Sequence, residues 1–251
     1  MGLFIQALLG LVLAHFAWHS DLLFPAETST LLYKAASAGD LENVQALLAA
    51  GAKPDAGSTR GPLGLVMAET PLRAAASKGH EAVVKALLAS GAKHEAGATF
   101  GPLGLLAAVT PLQAAASNGH EAVVKVLLAS GAKPEAGGTV GPLGIFVGNT
   151  PLKIAAENGF ESVVKVLLAS GAKPEAGFTV GPLGLVISCT PLHEAAREGH
   201  EGVVKALLAS GAKPNKTSGF IWGLLGHSPL GVAEINGHPG VVKVLREALR
   251  S

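Results

Sequence analysis

The side chains best suited to metal binding or nucleophilic attack in this chain are its histidines and its one cysteine, Cys189. His80, His120 and His200 recur in register, but Phe160 takes the intervening place. Imidazole is a common zinc ligand, yet a place that phenylalanine can fill is read as loop packing, not ligation. One cysteine allows no intrachain disulfide and no cysteine-based metal site. A thiol nucleophile needs a base held beside it. His193 is the nearest candidate to Cys189, and the pairing is read as coincidence. The glycine-rich segments have neither a GK[ST] sequence nor a strand-GxGxxG-helix setting, so no phosphate loop is present. Glu81, Glu121, Glu161 and Glu201 each lie four residues before a lysine (Lys85, Lys125, Lys165 and Lys205). That order favours ion pairs along a helix and reads as a solvated ridge, not an acid/base pair. No catalytic, cofactor-binding or metal-ligating residue is assigned, no cofactor is expected, and the chain is not expected to be an enzyme.

The elements that carry these residues are repeated. TPLRAAASKGHEAVVKALLASGAK (70–93) returns at 110–133, 150–173 and 190–213, a period of 40. A degenerate copy begins at Thr30 and a last one at Ser228, giving six. Such self-similarity is the signature of a stacked array. Within a copy, Thr70 is placed as an N-cap with Pro71 at the first helical position. The first helix passes through Leu72, Ala74 and Ala76 and ends at Gly79. The second starts near Glu81, an acid suited to a helix N-terminus, carries an apolar stripe of Val83, Val84, Leu87 and Leu88, and stops at Gly91. Two such short helices cannot bury their faces alone, so neighbouring copies must stack.

The pattern TPL-x-AA-x-x-GH-x-x-VV-x-LL-x-x-GA resembles the ankyrin repeat, over about Thr30 to Leu249. The resemblance implies a mainly α solenoid of about six helix-turn-helix repeats, with β-hairpin fingers projecting from it and a protein-binding role. Two features depart from the family. The usual TPLH histidine occurs only as His193, with Arg73, Gln113 and Lys153 elsewhere, which puts the histidine bridge between repeats in doubt for most copies. The family period is about 33 residues, against 40 here.

The extra residues fall where the hairpin belongs, at 57–69, 97–109, 137–149 and 177–189, with a divergent fifth segment at 216–227. Each of the four contains Gly-Pro-Leu-Gly, read as a type I turn between strand-favouring residues. Each is therefore expected to be an extended hairpin tipped by that turn. Ile145-Phe146-Val147, Leu185-Val186-Ile187 and Phe220-Ile221-Trp222 are unbroken apolar runs. Successive strand residues face opposite sides, so neither face of such a finger suits water. The expected partner-binding residues are Phe100, Leu103, Val140, Leu143, Ile145, Phe146, Phe178, Leu183, Val186, Ile187, Phe220, Trp222, Leu224 and Leu225. Burial stabilises each by about 1.5–3 kcal/mol, and together they exceed an ordinary exposed apolar patch. The alternative is that the fingers pack only on one another and on the first helices.

Residues 2–18, GLFIQALLGLVLAHFAW, are apolar apart from Gln6 and His15. As a helix they would span about 26 Å, just short of a hydrocarbon core. Leu3, Phe4, Ile5, Leu8, Leu9, Leu11, Val12, Leu13, Phe16 and Trp18 are the expected membrane or docking contacts. Three readings stand: a membrane anchor; a helix docked on a partner or on the first repeat; and a cleaved signal peptide, which lacks a basic leading region and a good cleavage site. The expected organisation is an apolar helix at 1–24, a linker at 25–29 and a repeat domain at 30–251.

Composition narrows the partners. Charged residues are 15% of the chain, against about 25% in average soluble chains. The net charge of +1 gives no basic surface for nucleic acid and little charge repulsion against self-association. The sequence therefore reads as a non-catalytic interaction or scaffold subunit, associated with a membrane or a membrane-protein complex, with lipid contact included. The alternatives are a soluble cytoplasmic adaptor for a hydrophobic segment, and a self-assembling structural protein.

Overall fold

The computed structural model describes residues 25–56, 58–60, 67–95, 98–100, 106–137, 139–140, 146–147, 149–176, 189–217 and 227–250. Among the described residues there are twelve helices in six pairs: α1 (Pro25–Ala38) with α2 (Leu41–Ala49), α3 (Pro71–Lys78) with α4 (Glu81–Ala89), α5 (Pro111–Ser117) with α6 (Glu121–Ala129), α7 (Pro151–Glu157) with α8 (Glu161–Ala169), α9 (Pro191–Glu198) with α10 (Glu201–Ala209), and α11 (Pro229–Ile235) with α12 (Pro239–Ala248). The repeat starts read from the sequence fall on the N-caps Thr70, Thr110, Thr150, Thr190 and Ser228. The first pair differs: α1 begins at Pro25, so residues 25–29, read as a linker, form its opening turns.

Most of these helices have seven to ten residues, too few to persist alone in water. Stacking supplies what propensity cannot. The first helix of each pair packs on the first helix of the next, and the second helices form a parallel layer of their own. The core is a column of nearly identical side chains. Leu72, Leu112, Leu152 and Leu192 are buried, as are Val84, Val124, Val164 and Val204. The alanine pairs Ala75-Ala76, Ala115-Ala116, Ala155-Ala156 and Ala195-Ala196 are fully buried and let the first helices approach closely. Gly79 closes α3 at φ +77, where a left-handed residue turns the chain into α4.

Among the described residues, short strands occupy the bases of three inserts. β1 (Ser58–Arg60) pairs antiparallel with β2 (Met67–Glu69), with Thr59 opposite Ala68. β3 (Ala98–Phe100) pairs with β4 (Leu106–Val109), with Phe100 opposite Leu106. β2 also pairs with β3 through Ala68 and Thr99, giving one four-stranded sheet in the order β1-β2-β3-β4. β5 (Thr139–Val140) and β6 (Phe146–Val147) form a separate pair, with Val140 opposite Phe146. The Gly-Pro-Leu-Gly tips at 61–64, 101–104, 141–144 and 181–184 lie outside the described residues, as does the apolar segment 1–24.

Candidate interaction surface

Three columns of side chains run along the array and link most repeats to their neighbours. The first is built at the start of the first helices. The Thr70, Thr110 and Thr150 hydroxyls accept the amide N–H of Arg73, Gln113 and Lys153 at 3.3, 3.2 and 3.2 Å, and Ser228 accepts that of Gly231 at 3.2 Å. These caps satisfy N–H groups that the helix leaves unpaired.

The residue three places after each threonine cap then reaches across a junction or back to its own insert base. His193 Nδ1 accepts from the Thr190 backbone N–H at 3.4 Å and lies 2.8 Å from the Thr190 hydroxyl, while Nε2 donates to the His227 carbonyl of the next repeat at 3.2 Å. Burial holds this ring below the ordinary imidazole pKa, which keeps it in the neutral form that this pattern needs. Gln113 reproduces the arrangement without a ring. Its Oε1 accepts from the Thr110 N–H at 2.9 Å and its Nε2 donates to the Asn149 carbonyl. Lys153 donates to Asn149 Oδ1 at 3.0 Å and pairs with Glu194 of the next repeat at 2.8 Å, both charged side chains being more than 90% buried. In the first junction the Tyr33 hydroxyl donates to Glu69 Oε2 at 2.8 Å, and Arg73 binds the other oxygen of that carboxylate. The doubt about the inter-repeat bridge is resolved residue by residue: glutamine keeps the histidine pattern, lysine replaces it with an ion pair to the next repeat, and arginine pairs with Glu69 at the base of its own insert.

The second column contains the recurring loop histidines. His80, His120, His200 and His238 Nε2 donate to the carbonyls of Ser37, Ser77, Glu157 and Arg197, each in the preceding repeat, at 3.2, 3.1, 3.0 and 2.8 Å. Each ring lies over the left-handed glycine of that repeat, and Phe160 lies over Gly119 in the same way. The loop-packing reading thus acquires a partner for each ring.

The third column went unnoticed in the sequence. Asp55, Glu95, Glu135 and Glu175 each accept the backbone N–H of the next repeat's lysine (Lys93, Lys133, Lys173 and Lys213) at 2.8, 3.0, 2.7 and 2.8 Å. The signal was available, since an acid recurs at the 40-residue period. Its role was not legible, because the bond needs the next repeat in place.

Among the described residues no group of three or more His, Cys, Asp or Glu side chains is arranged to hold a metal. Burial, then the nearby Glu194 charge, pushes the Cys189 thiol above its ordinary pKa, which disfavours the thiolate a nucleophile needs. The exposed Glu–Lys ridge forms as read, with pairs at 2.5–2.6 Å along α4, α6, α8 and α10.

The exposed ends of the first helices grade in charge. Successive repeats present Lys78, Asn118, Asn158 and Glu198. Arg197 there gathers Glu194 at 2.9 Å, Glu198 at 3.0 Å and Glu157 at 3.4 Å. Of the expected docking residues, Phe100 lies in β3, Val140 in β5 and Phe146 in β6. Leu103, Leu143, Ile145, Phe178, Leu183, Val186, Ile187, Phe220, Trp222, Leu224 and Leu225 lie outside the described residues, as do Leu3, Phe4, Ile5, Leu8, Leu9, Leu11, Val12, Leu13, Phe16 and Trp18. No helix among the described residues is long and apolar enough to cross a membrane.

Stacked helix pairs, capped threonine-proline starts and hairpin bases define a helical repeat solenoid. A family model described as Ankyrin repeats (3 copies) matches residues 5–98, 32–138, 103–178 and 148–218, an unbroken run from 5 to 218. The chain belongs to the ankyrin repeat family, whose members are generally non-catalytic modules for protein–protein interaction. No curated protein matches the chain.

Proposed function

We propose that this protein is a non-catalytic scaffold that docks through its lengthened inserts onto an apolar surface of a membrane protein or multisubunit membrane complex. The observation that carries the reading is the pairing of β2 with β3, which joins two successive inserts into one sheet. Backbone pairing between inserts makes a continuous surface out of what would otherwise be separate loops. It satisfies the backbone between the two inserts. The later inserts carry apolar residues at successive positions, in Ile145-Phe146-Val147, Leu185-Val186-Ile187 and Phe220-Ile221-Trp222, so a water-facing side is not provided there. The helical stack sets the spacing of the inserts, and the graded ends of the first helices add selectivity by charge.

The test is a triple substitution, Phe146→Ser, Val186→Ser and Trp222→Ser. It is expected to abolish association with carbonate-washed membranes or with the complex that co-purifies in mild detergent, while far-ultraviolet circular dichroism stays unchanged. Retained association would overturn the docking role of the inserts. A clean soluble monomer in fractionation would overturn the membrane assignment.

A further inference from the structure

We infer that residues 2–10 fold back on the first repeat as the second helix of a preceding half-repeat, capping the open end of the solenoid. The face they would cover is unfinished. Leu31 is 51% exposed, although Pro71, at the corresponding place in the next repeat, is buried. Ala35 and Leu47 are partly open, whereas Ala75 and Leu87 in the next repeat are fully buried. Together with Lys34, Ala38, Asp40 and Asn43 they line a cleft of about 380 Å³. Lys34 and Asn43 stand where Ala74 and Val83 are buried. The apolar part of this face is therefore narrower than an interior junction and suits one short helix better than a whole repeat.

The chain carries a matching sequence at the right distance. Ile5-Gln6-Ala7-Leu8-Leu9 parallels Val44-Gln45-Ala46-Leu47-Leu48, 39 residues further on, one short of the 40-residue period. The ankyrin match independently begins at residue 5, inside this segment. The connection is long enough: residues 11–24 can extend about 45 Å, several times the length of a nine-residue helix. A segment docked in this way is withdrawn from the bilayer, and membrane attachment falls to the inserts.

Interior junctions give the register for a test. The second residue of a second helix lies against the first residue of the preceding one. A Cβ on Gly202 would meet the Glu161 carboxylate, and one on Gly240 would meet that of Glu201. The 39-residue offset makes Gly2 the first residue of the capping helix and Glu42 its neighbour in α2. In the full chain carrying Cys189→Ser, the pair Gly2→Cys and Glu42→Cys is expected to be joined within one chain by a short bismaleimide. Adding Ile5→Asp and Leu8→Asp should abolish that cross-link. It should also speed amide exchange in α1 and α2 by about tenfold or more, with α7 to α10 unchanged as the control for folding. No cross-link, a cross-link that survives both aspartates, or one that forms only between differently tagged chains would overturn the inference; the last would assign the face to a second copy.

Discussion

Two columns of side chains cross the same junctions between repeats and obey different rules. The loop column is nearly uniform: a ring sits over a left-handed glycine and, when it is histidine, donates to one carbonyl of the preceding repeat. The helix-start column varies at every step, through Tyr33, Arg73, Gln113, Lys153 and His193, yet most of its members still link neighbouring repeats. The loop ring fills a shape bounded by backbone, so the ring is kept and the hydrogen bond is dispensable, as Phe160 shows. The helix-start residue answers a demand for donors and acceptors, so any side chain that meets the demand can serve.

The sharpest way to break this comparison is at Lys153 and Glu194. Glu194→Ala should remove the buried carboxylate that pairs with the Lys153 ammonium and cost about 3–5 kcal/mol in chemical denaturation. The double substitution Lys153→Met with Glu194→Leu should recover most of that loss, and a double cost equal to the single would refute the pairing argument.

In the loop column, Gly79→Ala should be more damaging than Gly91→Ala. Both glycines have positive φ, +77 and +87, but an added Cβ at Gly79 falls 2.7 Å from the His120 ring while at Gly91 it meets nothing. Left-handed strain alone is worth about 1–2 kcal/mol. Gly91→Ala should show that amount and Gly79→Ala should exceed it in urea titrations.

At the ring itself, His120→Phe should cost no more than about 1.5 kcal/mol, the net worth of one hydrogen bond, because the packing survives. His120→Ala should cost more, and thermal melts of the two variants would rank shape against bonding.

A pH series tests the His193 bridge. The folded pKa of His193 is lowered by burial, so the unfolded chain binds its proton more readily. The ring's contribution is complete above the unfolded value of about 6.5 and is lost as pH falls through the lower folded value. His193→Gln copies the Gln113 pattern without a titrating ring and should make stability fall less steeply below neutral pH. Equal slopes would refute this. The smallest effect is expected on the outer ridge, where Lys125→Ala should leave the melting temperature unchanged, as exposed pairs contribute little.

The sequence made the interior repeats legible because the period-40 copies carry their own punctuation: a threonine cap, a proline, a left-handed glycine and an apolar stripe. The start of the array was misread for a related reason. Residues 25–29 lack that punctuation, yet α1 extends over them. The Asp55–Glu175 column was overlooked because an acid in a loop has no local partner that would reveal its role.

What the sequence by itself determined was the unit: two short helices, their caps and the face that each must bury. These depend on interactions within a few residues and repeat wherever the local pattern repeats. Only the tertiary structure decided which side chains meet across junctions. That Gln113 substitutes for a histidine, that Lys153 finds Glu194, and that β2 pairs with β3 all depend on contacts between residues about 30 to 40 positions apart. Such contacts exist only once stacking has fixed the distance and angle between repeats, and no local pattern encodes them.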